Sequence, residues 1–498
     1  MQARSDTGQT KDRYKRWMPQ PIQSAVERNR ALEEAEVIVA GVFMSDDGPQ
    51  AATKDERVRQ ALRSAAATGY RGALGEVLIL ADEDSSPHLI AFTGLGTSDK
   101  VNHNVVCSAA AAAIKKLPRA SAIASVLHDS FDGDPSPAVE GYSLGSYRFT
   151  RYKSDKSKDV ERRILHVEAD PDAVDPAVAR SAAVWLARDL INEPASVLTP
   201  AALGDRARQA AASSGLSCQV YDEKWLREQG FGGVMATASG SSLPPRFIHL
   251  TYEPSGKPTS RIALVGKGVT FDSGGLSLKP AASMELMKTD MAGAAVVIAV
   301  MSALSHFEAT ARVDAYIPCA ENMTGGSAMR PGDVIVHYGG RTTEVTNTDA
   351  EGRLILADAL AWASETAPDA LVDVATLTGS MTVALGKKAS GLFSSSDDLR
   401  TEILDAAGSA GERVWPFPLY DDYLSELDSD IADAKNSGAR WGGAIIAAVY
   451  LKQFVGAEIP WAHLDIAGTG RSERDYLEIS RGGTGTPVRT LLSWVLGR

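Results

Sequence analysis

Residues 261–290 of the chain read RIALVGKGVTFDSGGLSLKPAASMELMKTD. Arg261 to Val265 is a short apolar run closed by Gly266, a pattern that predicts a buried strand. The glycine-rich stretch after it carries four charged residues: Lys267, Asp272, Lys279 and Asp290. Because ligands and catalytic groups collect just past the carboxyl ends of strands in α/β sheets, we expect a functional site here.

A second charged segment, NTDAEGRL, occupies residues 347–354. It places Asp349 and Glu351 two residues apart, with Arg353 two residues further along. Asn347 and Gly352 predict a turn, and the apolar pattern that follows them predicts a helix. Two acids crowded at the start of a helix are unfavourable unless a positive charge lies between them, which makes a divalent metal ion the natural candidate.

The two segments together supply four carboxylates: Asp272, Asp290, Asp349 and Glu351. The alanine-rich run after Asp290 predicts a buried helix, whose N-terminus tolerates a nearby carboxylate. Four carboxylates suit two hard or borderline divalent ions, and ion pairs about 3.5–4 Å apart recur in hydrolases and aminopeptidases.

Each of these features also has an ordinary structural explanation when it is considered alone. Acids in a loop are commonly solvated, a single lysine is usually a surface charge, and Asp290 could serve only as a helix cap. Met287 and Thr376 are equally compatible with packing and with substrate specificity. The metal hypothesis therefore depends on the combination of residues.

The order of several motifs resembles the cytosol aminopeptidase family, the leucyl aminopeptidases, which are two-metal exopeptidases. The resemblance extends from about Ser181 to the C-terminus. It rests on VGKGVTFDSGG, SLKP, MKTDMAGAA, PCAENM, NTDAEGRL, DVATLTG and WAHLDIAGT, in this order along the chain.

The resemblance implies two metal sites that share ligands. Lys267, Asp272, Asp290 and Glu351 correspond to the tighter site. The more exchangeable site corresponds to Asp272, Asp349 and Glu351. An ammonium group has no lone pair, so Lys267 must be uncharged as a ligand, and burial beside two cations would lower its pKa.

The resemblance also implies the catalytic roles and the partners. Lys279 would stay charged and stabilise an oxyanion, and Arg353 would anchor a bicarbonate ion that acts as general base. Met287 and Thr376 would line an apolar pocket for the first side chain of the substrate. The expected cofactors are two divalent ions, manganese or zinc. The expected substrates are peptides with a free N-terminus, leucine-like residues being preferred, and the expected assembly is a homohexamer.

Two other functions are compatible with parts of the pattern. One is a hexameric scaffold or DNA-binding regulator of the same fold that does not need catalysis. The other is a metal-dependent phosphoesterase, although such enzymes usually add histidine ligands and the metal segments here contain none.

Composition restricts the environment in which the protein works. The 498 residues carry a net charge of −12, which argues against broad nucleic-acid binding. Apolar runs are broken by polar residues, so we expect no membrane span and no secretory signal. Three scattered cysteines fit no disulfide or metal spacing and suit a reducing compartment, so the expected location is cytoplasmic.

Alternating strand and helix patterns predict an α/β fold with two domains. We expect a loose segment over 1–30, a smaller α/β domain over 31–174 and a connecting helix over 175–195. The larger catalytic domain, with a central mixed sheet covered by helices, is expected over 196–498. Within the first domain, FDGDPSPAVEG at 131–141 predicts a polar loop.

Overall fold

The computed structural model of the protein describes residues 20–65, 68–81, 87–155 and 161–498. These residues form two compact units. Unit 1 contains the described residues up to Ala182 together with Arg474–Ser480, and unit 2 contains Ala183–Glu473 and Arg481–Arg498. Both units combine helices with a sheet, as the predicted two-domain α/β class requires. Across the described ranges, no helix combines the length and the apolar character needed to cross a membrane.

Unit 1 is built on a seven-stranded sheet with the order β1-β7-β6-β2-β5-β4, and β3 pairs with β2 beside this path. All pairs in it are parallel except β2–β3 and β4–β5. Its elements in chain order are β1 (Ile22–Val26), α1 (Arg28–Glu34), β2 (Val37–Phe43), β3 (Gln50–Ala51), α2 (Glu56–Ala65), β4 (Val77–Ala81), β5 (Leu89–Gly96), α3 (His103–Lys116), β6 (Ala122–Ser125), α4 (Ser136–Ser146) and β7 (Arg163–Val167).

A strand of unit 1 lies within the segment that the sequence predicts to be loose. The expected loose segment 1–30 contains strand β1, which pairs with β7 from Ile22 opposite Arg163 to Val26 opposite Val167. Main-chain hydrogen bonds to a sheet edge do not need a strongly apolar sequence, which is why the polar composition of this segment was misleading. Residues 1–19 of the expected loose segment lie outside the described residues.

The prediction of a polar loop over 131–141 is wrong for the second half of this stretch, because helix α4 begins at Ser136. The Asp134 carboxylate accepts a hydrogen bond from the Ser136 N–H at 2.8 Å at the start of this helix. Gly141 belongs to the stretch for which the sequence predicts a loop. In the structure a Cβ on Gly141 would lie 2.1 Å from the carbonyl oxygen of Cys107, so the glycine allows α4 to pack closely on α3.

A long helix, α5 (Pro171–Asn192), spans the boundary between the two units, close to the predicted connecting helix at 175–195. The segment Arg474–Ser480 differs from expectation, because it groups with unit 1 although it lies within the predicted catalytic domain at 196–498. Two contacts hold it there. Lys115 Nζ donates to the carbonyl oxygen of Ile479 at 3.0 Å, and Ser108 Oγ donates to Glu478 Oε2 at 2.8 Å.

Unit 2 is built on a nine-stranded mixed sheet with the order β17-β16-β19-β15-β10-β12-β9-β8, and β11 pairs with β12 beside this path. Its elements from the N-terminal side are α6 (Pro200–Ser214), β8 (Ser217–Tyr221), α7 (Glu223–Gln229), α8 (Gly232–Ala238), β9 (Arg246–Tyr252), β10 (Arg261–Gly266), β11 (Gly268–Asp272), α9 (Ala281–Met284), α10 (Ala292–Ala303) and β12 (Arg312–Asn322). They continue with β13 (Val334–Val336), β14 (Thr342–Glu344), α11 (Glu351–Ser364), β15 (Ala370–Ala375), α12 (Gly379–Leu385), β16 (Ser390–Ser394), α13 (Asp397–Ala410), β17 (Val414–Pro416), β18 (Ala434–Lys435), α14 (Gly443–Lys452), β19 (Trp461–Asp465), β20 (Arg471–Ser472), β21 (Gly482–Gly483) and α15 (Val488–Leu496).

The centre of this sheet is parallel, and this arrangement positions the site. β10 runs parallel to both β12 and β15, and β11 runs parallel to β12. Helix α10 lies against them, with a glycine where it comes closest: a Cβ on Gly293 would lie 2.0 Å from the carbonyl oxygen of Val374. The carboxyl ends of β10, β11, β12 and β15 therefore open towards one region, with the starts of α10 and α11 beside it.

Candidate metal centre

The polar side chains of the site come from the carboxyl ends of the central strands and from two helix starts. Lys267 follows β10, Asp272 ends β11 and Thr376 follows β15. Asp290 lies two residues before α10, and Glu351 is the first residue of α11. The main chain of Lys267 is fixed from both sides, because its N–H donates to Val374 O at 3.1 Å and its carbonyl accepts from the Ala294 N–H at 2.9 Å.

Lys267 lies at the centre of the deepest part of the site. Its Nζ is 2.8 Å from Asp290 Oδ2 and 3.0 Å from Glu351 Oε1, and all three side chains are at most 6% exposed. The same nitrogen donates to the carbonyl oxygen of Thr376 at 3.1 Å. Three segments that are far apart in the sequence therefore meet at a single ammonium group.

Lys279 connects the remaining two acids. Its Nζ lies 2.8 Å from Asp272 Oδ2 and 2.6 Å from Asp349 Oδ1. Its side chain is 15% exposed and that of Asp349 is 33% exposed, so this half of the site is open to solvent whereas the Lys267 half is closed. The structure thus brings all five predicted metal ligands and Lys279 into one cluster.

Burial and mutual repulsion make the carboxyl groups reluctant to ionise. Burial, together with the negative charge of Asp272, raises the pKa of Glu351 to about 8. Burial likewise raises the pKa of Asp290 to about 6 and moves the pKa of Asp349 above its ordinary value. Burial lowers the pKa of Lys267. The negative charges of Asp290, Glu351 and Asp272 outweigh burial and hold the pKa of Lys267 above its ordinary value.

The donor set fits a divalent cation. Asp272, Asp290 and Glu351 each present a carboxylate oxygen within 4.8 Å of the others, and all three are buried. Glu351 Oε2 is buried and accepts no hydrogen bond. A carboxyl oxygen without a hydrogen-bond partner in a buried acidic cluster is suited to a cation, since leaving it unpaired would otherwise be costly.

Arg353 is held by its surroundings and keeps one donor unused. Its NH1 group donates to the carbonyl oxygen of Asn436 at 2.7 Å, and its Cζ lies 6.0 Å from the centroid of the Tyr450 ring. Its Nε is buried without a hydrogen-bond partner. Burial lowers the pKa of Arg353, but a guanidinium remains charged at neutral pH, so this group is a buried cation suited to an anion.

The two predicted pocket residues behave differently. Thr376 reaches the centre, where its Oγ1 donates to Asp290 Oδ1 at 2.7 Å. Met287 lies in the short helical turn Met287–Thr289 that leads to Asp290, and it is half-buried. The hydroxyl group of Thr376 therefore contacts a predicted metal ligand.

Two further residues of the site were not predicted from the sequence. Asn322 is buried at the end of β12 and donates to Asp272 Oδ1 at 2.8 Å. Gly352 faces Lys267, and a Cβ built on it would lie 2.5 Å from Lys267 Cε and 2.6 Å from Lys267 Nζ. The sequence signal that could have identified Asn322 is its place as a polar residue near a strand end, within PCAENM. The turn that the sequence predicts at Gly352 is wrong, because Gly352 is the second residue of helix α11.

Two sequence profiles match the chain. The profile of the cytosol aminopeptidase family, catalytic domain, matches residues 185–492. The profile of the N-terminal domain of the same family matches residues 39–156. A probable cytosol aminopeptidase from Aquifex aeolicus is 41% identical over 463 residues, which cover 91% of this chain and 94% of that protein.

Two solved structures are similar over almost the whole chain. A mutant of tomato leucine aminopeptidase superposes with a TM-score of 0.84 at 32% identity and covers 96% of this chain and 97% of its own. The bottromycin maturation enzyme BotP in complex with Mn superposes with a TM-score of 0.84 at 37% identity, covering 93% of this chain and 99% of its own. Both likenesses include the catalytic and the N-terminal parts of the fold.

Replacing Gly352 with alanine should displace the Lys267 side chain, because the added methyl group would overlap its last two atoms. We expect Gly352→Ala to impair divalent-metal binding, measured by isothermal titration calorimetry on the metal-free protein. Gly408→Ala is the matched control, since Gly408 lies inside helix α13 and its Cβ would meet no atom within 4 Å. That change should leave binding intact and stabilise the helix by about 0.5–1 kcal/mol. Equal metal affinity in both variants would contradict the expected overlap.

Proposed function

Because this chain belongs to the cytosol aminopeptidase family of metallo-exopeptidases, we propose that it releases N-terminal residues from peptides with two divalent cations. Leucine and similar apolar residues are the proposed first residues. The observation that supports this most strongly is the buried contact of Lys267 with Asp290 and Glu351, joined through Asp272 to Lys279 and Asp349. Asp272 and Lys279 are also the residues that bring the closed and open halves of the site together.

The proposed ligands divide between the closed and the open half. Lys267, Asp272, Asp290 and Glu351 would hold one cation, and Asp272, Asp349 and Glu351 would hold the other, so Asp272 and Glu351 are shared. Lys267 is protonated among the carboxylates of the metal-free protein, where their charge raises its pKa. It can coordinate only after losing that proton, so cation binding at the closed half must release protons to solvent.

When bound, a pair of divalent cations lowers the pKa of a water molecule and polarises the scissile carbonyl. Lys279 then supplies the positive charge that faces the oxyanion. Burial lowers the pKa of Lys279, but the negative charges of Asp272, Glu351 and Asp349 outweigh burial and hold the pKa above its ordinary value, so it stays charged at neutral pH. Its position at the more exposed end of the cluster leaves room for a substrate carbonyl.

Arg353 is proposed to hold a bicarbonate ion as general base. The support is a buried guanidinium whose NH1 is fixed by Asn436 and whose Nε has no partner. A small anion can accept hydrogen bonds from such a planar donor group. The described cluster offers no histidine, and its carboxylates are assigned to the cations, so a borrowed base is chemically reasonable.

Manganese or zinc is the proposed metal, because carboxylate oxygens accept several divalent ions and a related enzyme is described with Mn. A homohexamer is the proposed assembly. Size-exclusion chromatography with light scattering tests it, since a particle with a mass far below six times 52.7 kDa would rule it out.

The reaction is tested by hydrolysis of leucine p-nitroanilide in the presence of Mn²⁺ or Zn²⁺. N-acetyl-leucine p-nitroanilide, which lacks a free amino group, should not be cleaved. Two outcomes would favour the other candidates: cleavage of p-nitrophenyl phosphate indicates a phosphoesterase, and a DNA mobility shift at moderate salt without peptidase activity indicates a regulator.

Glu351→Gln should abolish turnover and weaken both cations, because this carboxylate is proposed to bind each of them. The amide keeps the size of the side chain and removes its charge. Two quantities are measured: the metal content, by mass spectrometry, and the rate of leucine p-nitroanilide hydrolysis. Glu285→Gln, at an exposed position, is the control and should behave as the unmodified protein. Normal turnover in Glu351→Gln would refute the shared role.

Lys279→Ala should lower kcat by about 10²–10³ while metal content is kept, because the side chain is proposed to act on the oxyanion. Steady-state kinetics and metal analysis of the same preparation separate the two effects. Lys257→Ala, which removes an exposed lysine, provides the comparison. Loss of metal in parallel with kcat would assign Lys279 to metal binding instead.

Arg353→Ala should slow turnover and remove any stimulation by added bicarbonate. The measurement is kcat in bicarbonate-depleted buffer as the anion is titrated back, with Arg353→Lys as a second variant that keeps the charge without the planar donors. A bicarbonate response in Arg353→Ala equal to that of the unmodified protein would eliminate the anchoring role.

A further inference from the structure

The carboxylate of Asp272 has one oxygen engaged by neutral donors. Oδ1 accepts hydrogen bonds from Asn322 Nδ2 at 2.8 Å and from the Gly274 N–H at 2.8 Å. Asp272 is 2% exposed and Asn322 is 1% exposed, so solvent does not compete for these bonds. The other oxygen, Oδ2, faces the cluster and lies 2.8 Å from Lys279 Nζ.

The register of two strands places Asn322 opposite Asp272. β11 and β12 are parallel, and their pairing shifts between Val269 and Phe271, as in a β-bulge. After this shift Asp272, the last residue of β11, is paired with Asn322, the last residue of β12. Bulges are found next to active sites because they redirect a side chain, and here the redirected group is a proposed metal ligand.

The second hydrogen of the Asn322 amide is also used. Nδ2 donates to the carbonyl oxygen of Thr348 at 3.1 Å, and Thr348 immediately precedes Asp349. One buried amide group thus ties the end of β11 to the loop that carries the open half of the site. Because both bonds come from one nitrogen, the plane of the amide fixes the rotation of the Asp272 carboxylate relative to that loop.

We propose that Asn322 is a positioning residue that leaves Asp272 a single free ligand oxygen, Oδ2, which would serve both cations. This inference rests on the proposed function. With Oδ1 held by Asn322 and Gly274, the carboxylate cannot offer one oxygen to each cation. Two cations that share one carboxylate oxygen lie closer together than two cations bound to different oxygens. The hydrogen bond from Asn322 would therefore shorten the distance between the cations.

Thr376 provides a comparison within the same site. Its hydroxyl group holds Asp290 Oδ1 at 2.7 Å, but Asp290 is proposed to bind only the cation of the closed half. Loss of the Thr376 hydroxyl should therefore weaken the binding of one cation. Loss of the Asn322 amide should weaken the binding of both cations and reduce the magnetic coupling between them.

The experiment compares Asn322→Val with Asn322→Thr in the full-length protein after removal of metal. Valine and threonine have nearly the same shape and suit a strand, but only threonine keeps a hydrogen-bond donor on the side chain. Mn²⁺ is titrated in, and electron paramagnetic resonance reports free Mn²⁺ and the magnetic coupling between two bound ions. Thr376→Val is measured in the same way.

We expect Asn322→Val to bind Mn²⁺ about 10–100-fold more weakly and to lose much of the magnetic coupling, since ligands that lose their supporting hydrogen bonds bind less tightly. Asn322→Thr should recover part of both properties. In Thr376→Val one Mn²⁺ ion should bind more weakly, while the other keeps its affinity. Equal behaviour of Asn322→Val and Asn322→Thr, or coupling in Asn322→Val equal to that of the unmodified protein, would overturn the proposal.

Two controls keep the result interpretable. Thermal denaturation of each metal-free variant tests folding, and Asn322→Ala with Asn322→Ser replaces the first pair under the same criteria if the branched side chains prevent folding. The unmodified protein tests the underlying function separately. If it binds fewer than two Mn²⁺ ions, the two-metal function fails, whereas two coupled ions that persist in Asn322→Val contradict only the role of Asn322.

Discussion

The structure of unit 2 depends on the balance of charge around the buried Lys267 ammonium group. Lys267 lies within 3.0 Å of both Asp290 and Glu351, in a place where almost no water reaches. Buried carboxylates repel one another strongly at low effective dielectric, and only neighbouring positive charge makes their assembly tolerable. Four carboxylates face two ammonium groups here, so negative charge remains in excess. The same imbalance that strains the metal-free site gives it affinity for cations.

Close backbone packing makes this concentration of charge feasible. Gly352 leaves the space that the Lys267 side chain fills, and Gly293 lets helix α10 approach strand β15. Side chains at either position would push the helix starts away from the strand ends. Neutral donors complete the arrangement. Thr376 donates to Asp290 Oδ1, and Asn322 donates to Asp272 Oδ1 while Asp272 Oδ2 faces Lys279. Small residues and uncharged hydrogen-bond donors thus determine where the charged groups point.

Much of the fold could be predicted from local pattern. The buried strand at Arg261 and the alanine-rich helix after Asp290 both appear where the apolar pattern predicts them. Helix α11 begins at Glu351, earlier than the apolar pattern predicts, and it includes Gly352. Errors occurred where a residue type has two physical uses. The sequence pattern predicts Gly141 in a loop, although this glycine permits contact between two helices. The polar stretch around Ile22 was read as loose, although main-chain pairing with β7 holds it in the sheet.

The sequence by itself determined the chemistry of the site: which acids and lysines are present, on which strand ends and helix starts they lie, and the family to which they belong. Only the tertiary structure decided how they interact. Lys267 contacts Asp290 and Glu351 whereas Lys279 contacts Asp272 and Asp349, and no spacing along the chain fixes that division. The bulge that sets Asp272 opposite Asn322 is equally invisible in sequence. The reason is physical: residue type fixes charge and local conformation, but distances between remote segments arise from strand register and close packing.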